Sequence, residues 1–214
     1  MRRLVILAVA VALGCASGGA KPAAKAGAAA TPLPVEADEY TRYELLAPET
    51  SQFHILYDVT AIAPGATVYF NPIRKGSIAS GEHVFDRMTG EELRFEIVSS
   101  AEAAREGLAD ADPGTNYIRI HLPRPVPPDG GQVRLLIEKT YKDPKSYYAE
   151  GDSIVFTRTL SVPRNGILLP AGYEIVSCNV PSQVLTEGGR LLISFVNATP
   201  DEMSLTIKAR RLPS

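Results

Sequence analysis

The sequence predicts an all-β protein, an antiparallel β-sandwich with one short connecting helix. Three observations carry this. From residue 40 to 211 the chain repeats one theme, a short run rich in Val, Ile, Thr, Tyr and Phe closed by a Gly, Pro, Asn or Asp cluster. Such residues suit a pleated, half-buried surface. Several runs also alternate: Leu93, Phe95 and Ile97 fall on one face and Arg94 and Glu96 on the other, while Leu205, Ile207 and Ala209 oppose Thr206, Lys208 and Arg210. A period of two marks antiparallel sheets with one wet face. Finally, only residues 100–109, rich in Ala and Glu, read as a helix.

In order, the strand-like runs are 41–47, 52–61, 66–72, 82–87, 92–98, 116–122 and 132–141, then 152–160, 165–170, 173–180, 183–187, 190–196 and 203–211. Met-Thr-Gly-Glu at 88–91, Pro-Pro-Asp-Gly-Gly at 127–131, Ala-Glu-Gly-Asp at 149–152 and Thr-Glu-Gly-Gly at 186–189 supply hairpin turns. About thirteen strands are many for one sandwich. The polar stretch 140–152 is the longest break after the helical connector. The reading therefore divides the body into a β-sandwich at 40–140 and a second β unit at 147–211, two small packed sandwiches; one large interleaved sandwich is the alternative.

Ahead of the strands, Arg2 and Arg3 precede an apolar run, Leu4 to Leu13, and then Gly14 and Cys15. A positive start, a short apolar stretch and a small residue before a cut describe an export signal, here 1–14. The run is shorter than the roughly 20 residues a spanning helix needs. Ala12-Leu13-Gly14-Cys15 resembles the bacterial lipobox, which implies cleavage before Cys15 and a lipid on its thiol. The resemblance further implies a membrane partner through that anchor, a place in the cell envelope, and the outer membrane if the host is Gram-negative. Residues 15–38, mostly Ala, Gly, Pro and Lys, read as a tether. Too little apolar surface is present there to offset ordering. Its average reach is roughly 25 Å.

Charge excludes one class of partner. The chain carries 22 basic and 24 acidic residues; loss of Arg2 and Arg3 with the signal lowers the basic count to 20, a net of −4. A nucleic-acid binder wants a basic stripe, so no nucleic-acid partner is expected. Lipidation of Cys15 leaves Cys178 without a disulfide partner.

The stretch from His83 to Tyr141 carries a likeness. Asp86-x-x-Thr89-Gly90 precedes a hydrophobic strand, and a later strand ends at Leu122-Pro123 before a Gly-marked turn. This resembles the β-domain preceding the catalytic domain of M1-type metallo-aminopeptidases, over about 60 residues. The His-Glu-x-x-His zinc helix of that family does not occur in the sequence. The resemblance implies a scaffold or binding domain and no peptidase.

Candidate chemistry is sparse. Gly151-Asp152-Ser153 is the nucleophile motif of GDSL-type esterases, but all three histidines lie upstream and a strand follows; an ordinary turn is expected. His54, His83 and His121 are too far apart for a typical zinc set, and His54 with Asp58 is the pair sharing a strand face. Asp110, Asp112 and Asn116 surround Gly114, yet Pro113 interrupts and no closing glutamate follows. An Asx-type turn is expected there. Cys178, on the face of Val176 and Val180, reads as a small buried hydrophobe. No Gly-rich phosphate loop occurs, and no cofactor or metal is expected. The binding edge read from the sequence is Tyr141, Lys142, Lys145, Tyr147 and Tyr148, aromatics and cations on a loop suited to a glycan or an envelope protein. The expectation is a membrane-anchored envelope lipoprotein with a non-catalytic binding or scaffold module. A hydrolase whose site assembles only in three dimensions, or a structural subunit of an envelope complex, are the alternatives.

Overall fold

Fourteen strands, one α-helix and a single 3-10 turn make up residues 35–199 and 201–213, those described by this computed structural model. The signal segment, Cys15 and the tether as far as residue 34 lie outside the described residues. In chain order the first strands are β1 (Glu36–Leu45), β2 (Gln52–Ala61), β3 (Val68–Ile73), β4 (Ile78–Asp86), β5 (Phe95–Ser99), β6 (Asn116–His121) and β7 (Val133–Lys142). They are followed by β8 (Tyr147–Glu150), β9 (Ser153–Leu160), β10 (Arg164–Leu168), β11 (Tyr173–Cys178), β12 (Gln183–Glu187), β13 (Arg190–Val196) and β14 (Met203–Arg211). The helix, α1 (Ser100–Arg105), starts on a capping box between Ser99 and Glu102 and gives way at Glu106 and Gly107, whose φ is +104°.

The strands form a seven-stranded sheet (β12-β13-β10-β1-β2-β7-β4), a four-stranded sheet (β11-β14-β9-β8) and a three-stranded sheet (β3-β6-β5). The all-β, sandwich-like class read from the sequence is the one observed. β1 runs parallel to β10 and antiparallel to β2. The large sheet thus takes strands from both sides of the polar break at 140–152, so the units 40–140 and 147–211 interleave. That break is itself structured: β8 starts inside it, and Asp143 is buried and accepts hydrogen bonds from Ser146 and Ser77.

Alternation places the core. β2 turns Phe53, Ile55, Tyr57, Val59 and Ala61 inward, and β7 turns Val133, Leu135, Ile137, Lys139 and Tyr141 the same way. Opposite them stand Phe156, Ile154, Leu205 and Ile207 of the four-stranded sheet, and Tyr69, Ile118 and Ile120 of the three-stranded one. Phe53 and Phe156 meet edge to face at 5.4 Å, and Tyr43 lies 5.5 Å from Phe156. Aromatic pairs of this kind add about 0.5–1.5 kcal/mol beyond their burial.

Three local expectations change. β1 begins at Glu36, inside the stretch read as tether; a bulge at Asp38, with φ of +56°, turns Glu36 and Glu39 toward tyrosine hydroxyls, so a charged segment is a strand. Ile97 is exposed while Val98 is buried with Ala103 and Tyr117, because α1 covers the other face of β5. Val176 points outward although Cys178 and Val180 pack on the core, because a register shift between Ile175 and Ser177 breaks the alternation.

Candidate functional site

A cleft of about 1030 Å³ lies over the inner face of β1, β2 and β7, walled by β3, the end of β9 with residues 161–162, and the turns after α1. Register sets its floor. Tyr43 pairs with Ile55, and Ile55 with Lys139, so the three stand in one row across the sheet. The row behind is Leu45, Phe53 and Tyr141; the row in front is Thr41, Tyr57 and Ile137.

Two cations are buried in that floor. Lys139 is 5% exposed; its Nζ donates to Asn71 Oδ1 at 2.5 Å and, more weakly, to the Pro72 carbonyl at 3.4 Å. It lies 5.3 Å from the Tyr141 ring centroid. Burial, with the like charge of Arg158, pulls its pKa down to about 7 against an opposing pull from Glu82. The guanidinium of Arg158 sits against three rings, 5.2 Å from Phe53, 5.5 Å from Tyr141 and 5.6 Å from Tyr43. A guanidinium stays charged in proteins, and its carboxylate neighbour, Asp143, is 3.5 Å away. That carboxylate is already engaged by the Ser77 and Ser146 hydroxyls and by the amides of Lys145 and Ser146. Burial raises the Asp143 pKa, but these hydrogen bonds outweigh it and hold the group ionised.

The other end of the cleft is acidic and internally paired. Tyr57 donates to Glu39 at 2.5 Å and Tyr69 donates to Glu36. Burial raises the pKa of Glu36, against the Tyr69 hydrogen bond, and raises both phenols as well. Both hydroxyls therefore remain donors through the neutral range.

Of the binding edge read from the sequence, Tyr141 alone lines this cleft; Asp110 and Asp112, from the loop read as an Asx-type turn, line it too. Tyr141 and Tyr147 are not on an exposed edge. Tyr141 is 2% exposed, its hydroxyl accepting from the Arg74 amide at 3.0 Å, and Tyr147 is fully buried, donating to the Leu46 carbonyl at 2.8 Å. The physical reason is strand parity: Tyr141 continues the inward series of β7, and Tyr147 opens β8 opposite Phe156. Lys142 and Lys145 are exposed and Tyr148 is half-buried, away from the cleft lining.

The remaining candidates stay dispersed. His54 contacts Thr140 and Glu138 on the outer face, His83 pairs with Glu92 at 2.7 Å, and His121 faces Glu96 at 3.4 Å. Asp58 is held by Arg87 at 2.8 Å rather than by His54. Asp112 pairs with Lys75 and accepts from Thr115, forming a turn. Ser153 follows the Gly151 turn of the β8–β9 hairpin. Cys178 is half-buried. Among the described residues, no three His, Cys, Asp or Glu side chains gather as a metal site.

Sequence reasoning missed Lys139, Arg158, Asn71 and Tyr69. Two of them carried a signal. In β7 the inward positions read Val133, Leu135, Ile137, Lys139, Tyr141, and in β9 they read Ile154, Phe156, Arg158, Leu160. A cation in phase with an apolar face is a buried charge, and buried charges call for a partner.

No family model matches the chain, and no curated protein matches it in sequence. Among solved structures, an M1 zinc metallopeptidase from Deinococcus radiodurans aligns at 11% identity and a TM-score of 0.49, over 80% of this chain and 41% of that one. An aminopeptidase N family protein from Idiomarina loihiensis aligns at 11% identity and a TM-score of 0.46, over 79% of this chain and 29% of that one. The chain thus spans less than half the length of either protein.

Proposed function

We propose that this chain is a bacterial envelope lipoprotein, acylated on Cys15, whose β-sandwich body binds a ligand in the cleft over β1, β2 and β7 and does not transform it. The observation that carries the binding reading is the pair of buried cations, Lys139 and Arg158, in the floor of an open cleft of about 1030 Å³. Large pre-formed clefts with a few convergent polar groups are the usual form of a ligand site. The anchoring part rests on Arg2-Arg3, the apolar run and Ala12-Leu13-Gly14-Cys15. Two or three acyl chains on one residue hold a protein firmly, at about 0.8 kcal/mol per buried methylene. An envelope protein or a glycan carrying a suitable group is the partner this reading favours, and the membrane is the other.

The test expresses the full chain with its signal in a bacterial host. Mass spectrometry of the N-terminal peptide and membrane fractionation should find an acylated Cys15, and Cys15→Ser should leave the precursor uncut. A free N-terminus cut elsewhere would remove the anchor and make the body a diffusible secreted protein.

A further inference from the structure

The cleft floor is unbalanced in charge, and the imbalance has a position. Among the described residues Lys139 meets only neutral acceptors, the Asn71 side-chain oxygen and the Pro72 carbonyl, so one of its three N–H groups has no partner there. Arg158 shares one distant carboxylate, Asp143, with four other donors. Both cations flank the same ring, that of Tyr141. Six carboxylates of the described residues also line the cleft, and none forms an ion pair with Lys139 or Arg158: Asp112 is held by Lys75, Glu106 by Arg119, and Asp110 and Glu202 are exposed. Glu39 and Glu36 are taken by Tyr57 and Tyr69, and Glu36 pairs with Ala61, six residues and about 20 Å along β2 from Ile55 in the Lys139 row.

We infer that the floor of the cleft is a site for a small organic anion, a carboxylate on a compact apolar or aromatic body, its oxygens between Lys139 and Arg158 and its body along Tyr43, Ile55 and Tyr57. This rests on the reading of the cleft as a binding site. The anion supplies the acceptor that Lys139 lacks, and a charge-assisted hydrogen bond in a water-poor site is stronger than a neutral one. The three side chains of the body's track are apolar or aromatic and stand in adjacent rows of the sheet.

Binding is coupled to protons. The groups facing Lys139 are Tyr43 from β1, Asn71 from β3 with Arg74 just beyond it, Glu82 from β4, Tyr141 from β7 and Arg158 from β9. Burial raises the pKa of both phenols, so they stay neutral, and the Arg158 guanidinium keeps its proton. With its pKa near 7, most of the Lys139 population is neutral at about pH 8. An anion favours the ammonium, so it draws in a proton as it binds.

The experiment titrates three probes into the full chain in non-ionic detergent: 3-phenylpropionate, its neutral amide, and 3-phenylpropylamine. Calorimetry is run at about pH 8 in two buffers of different ionisation heat. The carboxylate is expected to bind at least about tenfold tighter than the amide, the amine not at all, and the carboxylate alone to take up protons. Lys139→Met should remove both the preference and the proton uptake. Asn71→Asp, which gives Lys139 a carboxylate of its own while keeping the lysine, should weaken the carboxylate by about tenfold and serves if the first variant fails to fold. Equal binding of carboxylate and amide, both blocked by Ile55→Trp in the floor, would overturn the anion assignment and leave the cleft reading standing. No binding by any probe overturns both.

Discussion

The two ends of the sandwich interior obey the same alternation and end in opposite states. At one end the row Leu45, Phe53 and Tyr141 of the large sheet closes on Phe156 and Tyr147, and those five side chains are at most 2% exposed. One or two rows along the same strands, Tyr43, Ile55, Lys139 and Tyr57 look into the cleft. The strand pattern does not differ; what stands opposite does. Over the closed end the four-stranded sheet sets Phe156 against Phe53, at 5.4 Å, and against Tyr43 at the boundary, at 5.5 Å. Over the open end stand β3 and the chain leaving β9, and three of the inward side chains there, Tyr43, Tyr57 and Lys139, carry polar heads. A sheet face is thus made core or site by its cover, and residues that tolerate both, Tyr above all, sit at the boundary.

The largest effect should come from the closed end. Phe53 is fully buried among Tyr43, Tyr141 and Phe156, with Arg158 over its face. Phe53→Ala leaves a void that close-packed neighbours fill only in part and should cost about 3–5 kcal/mol in denaturant unfolding. Tyr57→Phe at the open end removes only the hydroxyl bonded to Glu39 and should cost about 1 kcal/mol. Equal losses would break the contrast.

The second effect is a matter of pH. The Lys139 ammonium loses its proton near pH 7 in the folded chain and near 10.5 when unfolded. Below pH 7 both states hold the proton and folding carries the whole penalty of burying it. Between those values the unfolded chain binds more protons, so stability rises with pH, by up to about 5 kcal/mol at 1.36 kcal/mol per pKa unit. Lys139→Met deletes that rise. The difference between the two proteins' unfolding free energies, measured from pH 6 to 10, should therefore favour the variant most at the acid end and shrink upward. Parallel curves would mean that the ammonium is solvated or paired, and that the open end is wetter than the geometry describes.

How much of this was legible in the sequence follows from the range of the signals. Alternation and turn residues are local, so the strands β2, β12, β13 and β14 are found at their observed bounds, and the Gly188-Gly189 hairpin with both φ positive is where the turn residues put it. The parity of Lys139 and Arg158 is equally local and could have marked both as buried. What the sequence does not hold is the cover: that Asn71 and Tyr69 of β3 come to face β7 and β1, or that β1 takes β10 as a parallel neighbour more than a hundred residues away. The loop at 140–148 shows the opposite error. Its aromatics and lysines look alike as composition, yet register sends Tyr141 and Tyr147 inward and leaves the lysines outside.

The smallest effect tests that distinction. Lys142 and Lys145 are exposed, and the one bond that Lys145 gives to the loop comes from its backbone amide, which donates to Asp143 Oδ1 at 3.1 Å. Alanine keeps that amide. The double variant Lys142→Ala, Lys145→Ala should therefore unfold within about 0.5 kcal/mol of the parent, as exposed side chains without a structural partner do. It should also leave binding of any ligand in the cleft unchanged, because neither side chain lines it. A tenfold loss of binding with unchanged stability would place the recognition surface back on the loop, and the two ends of the interior would then differ in packing alone.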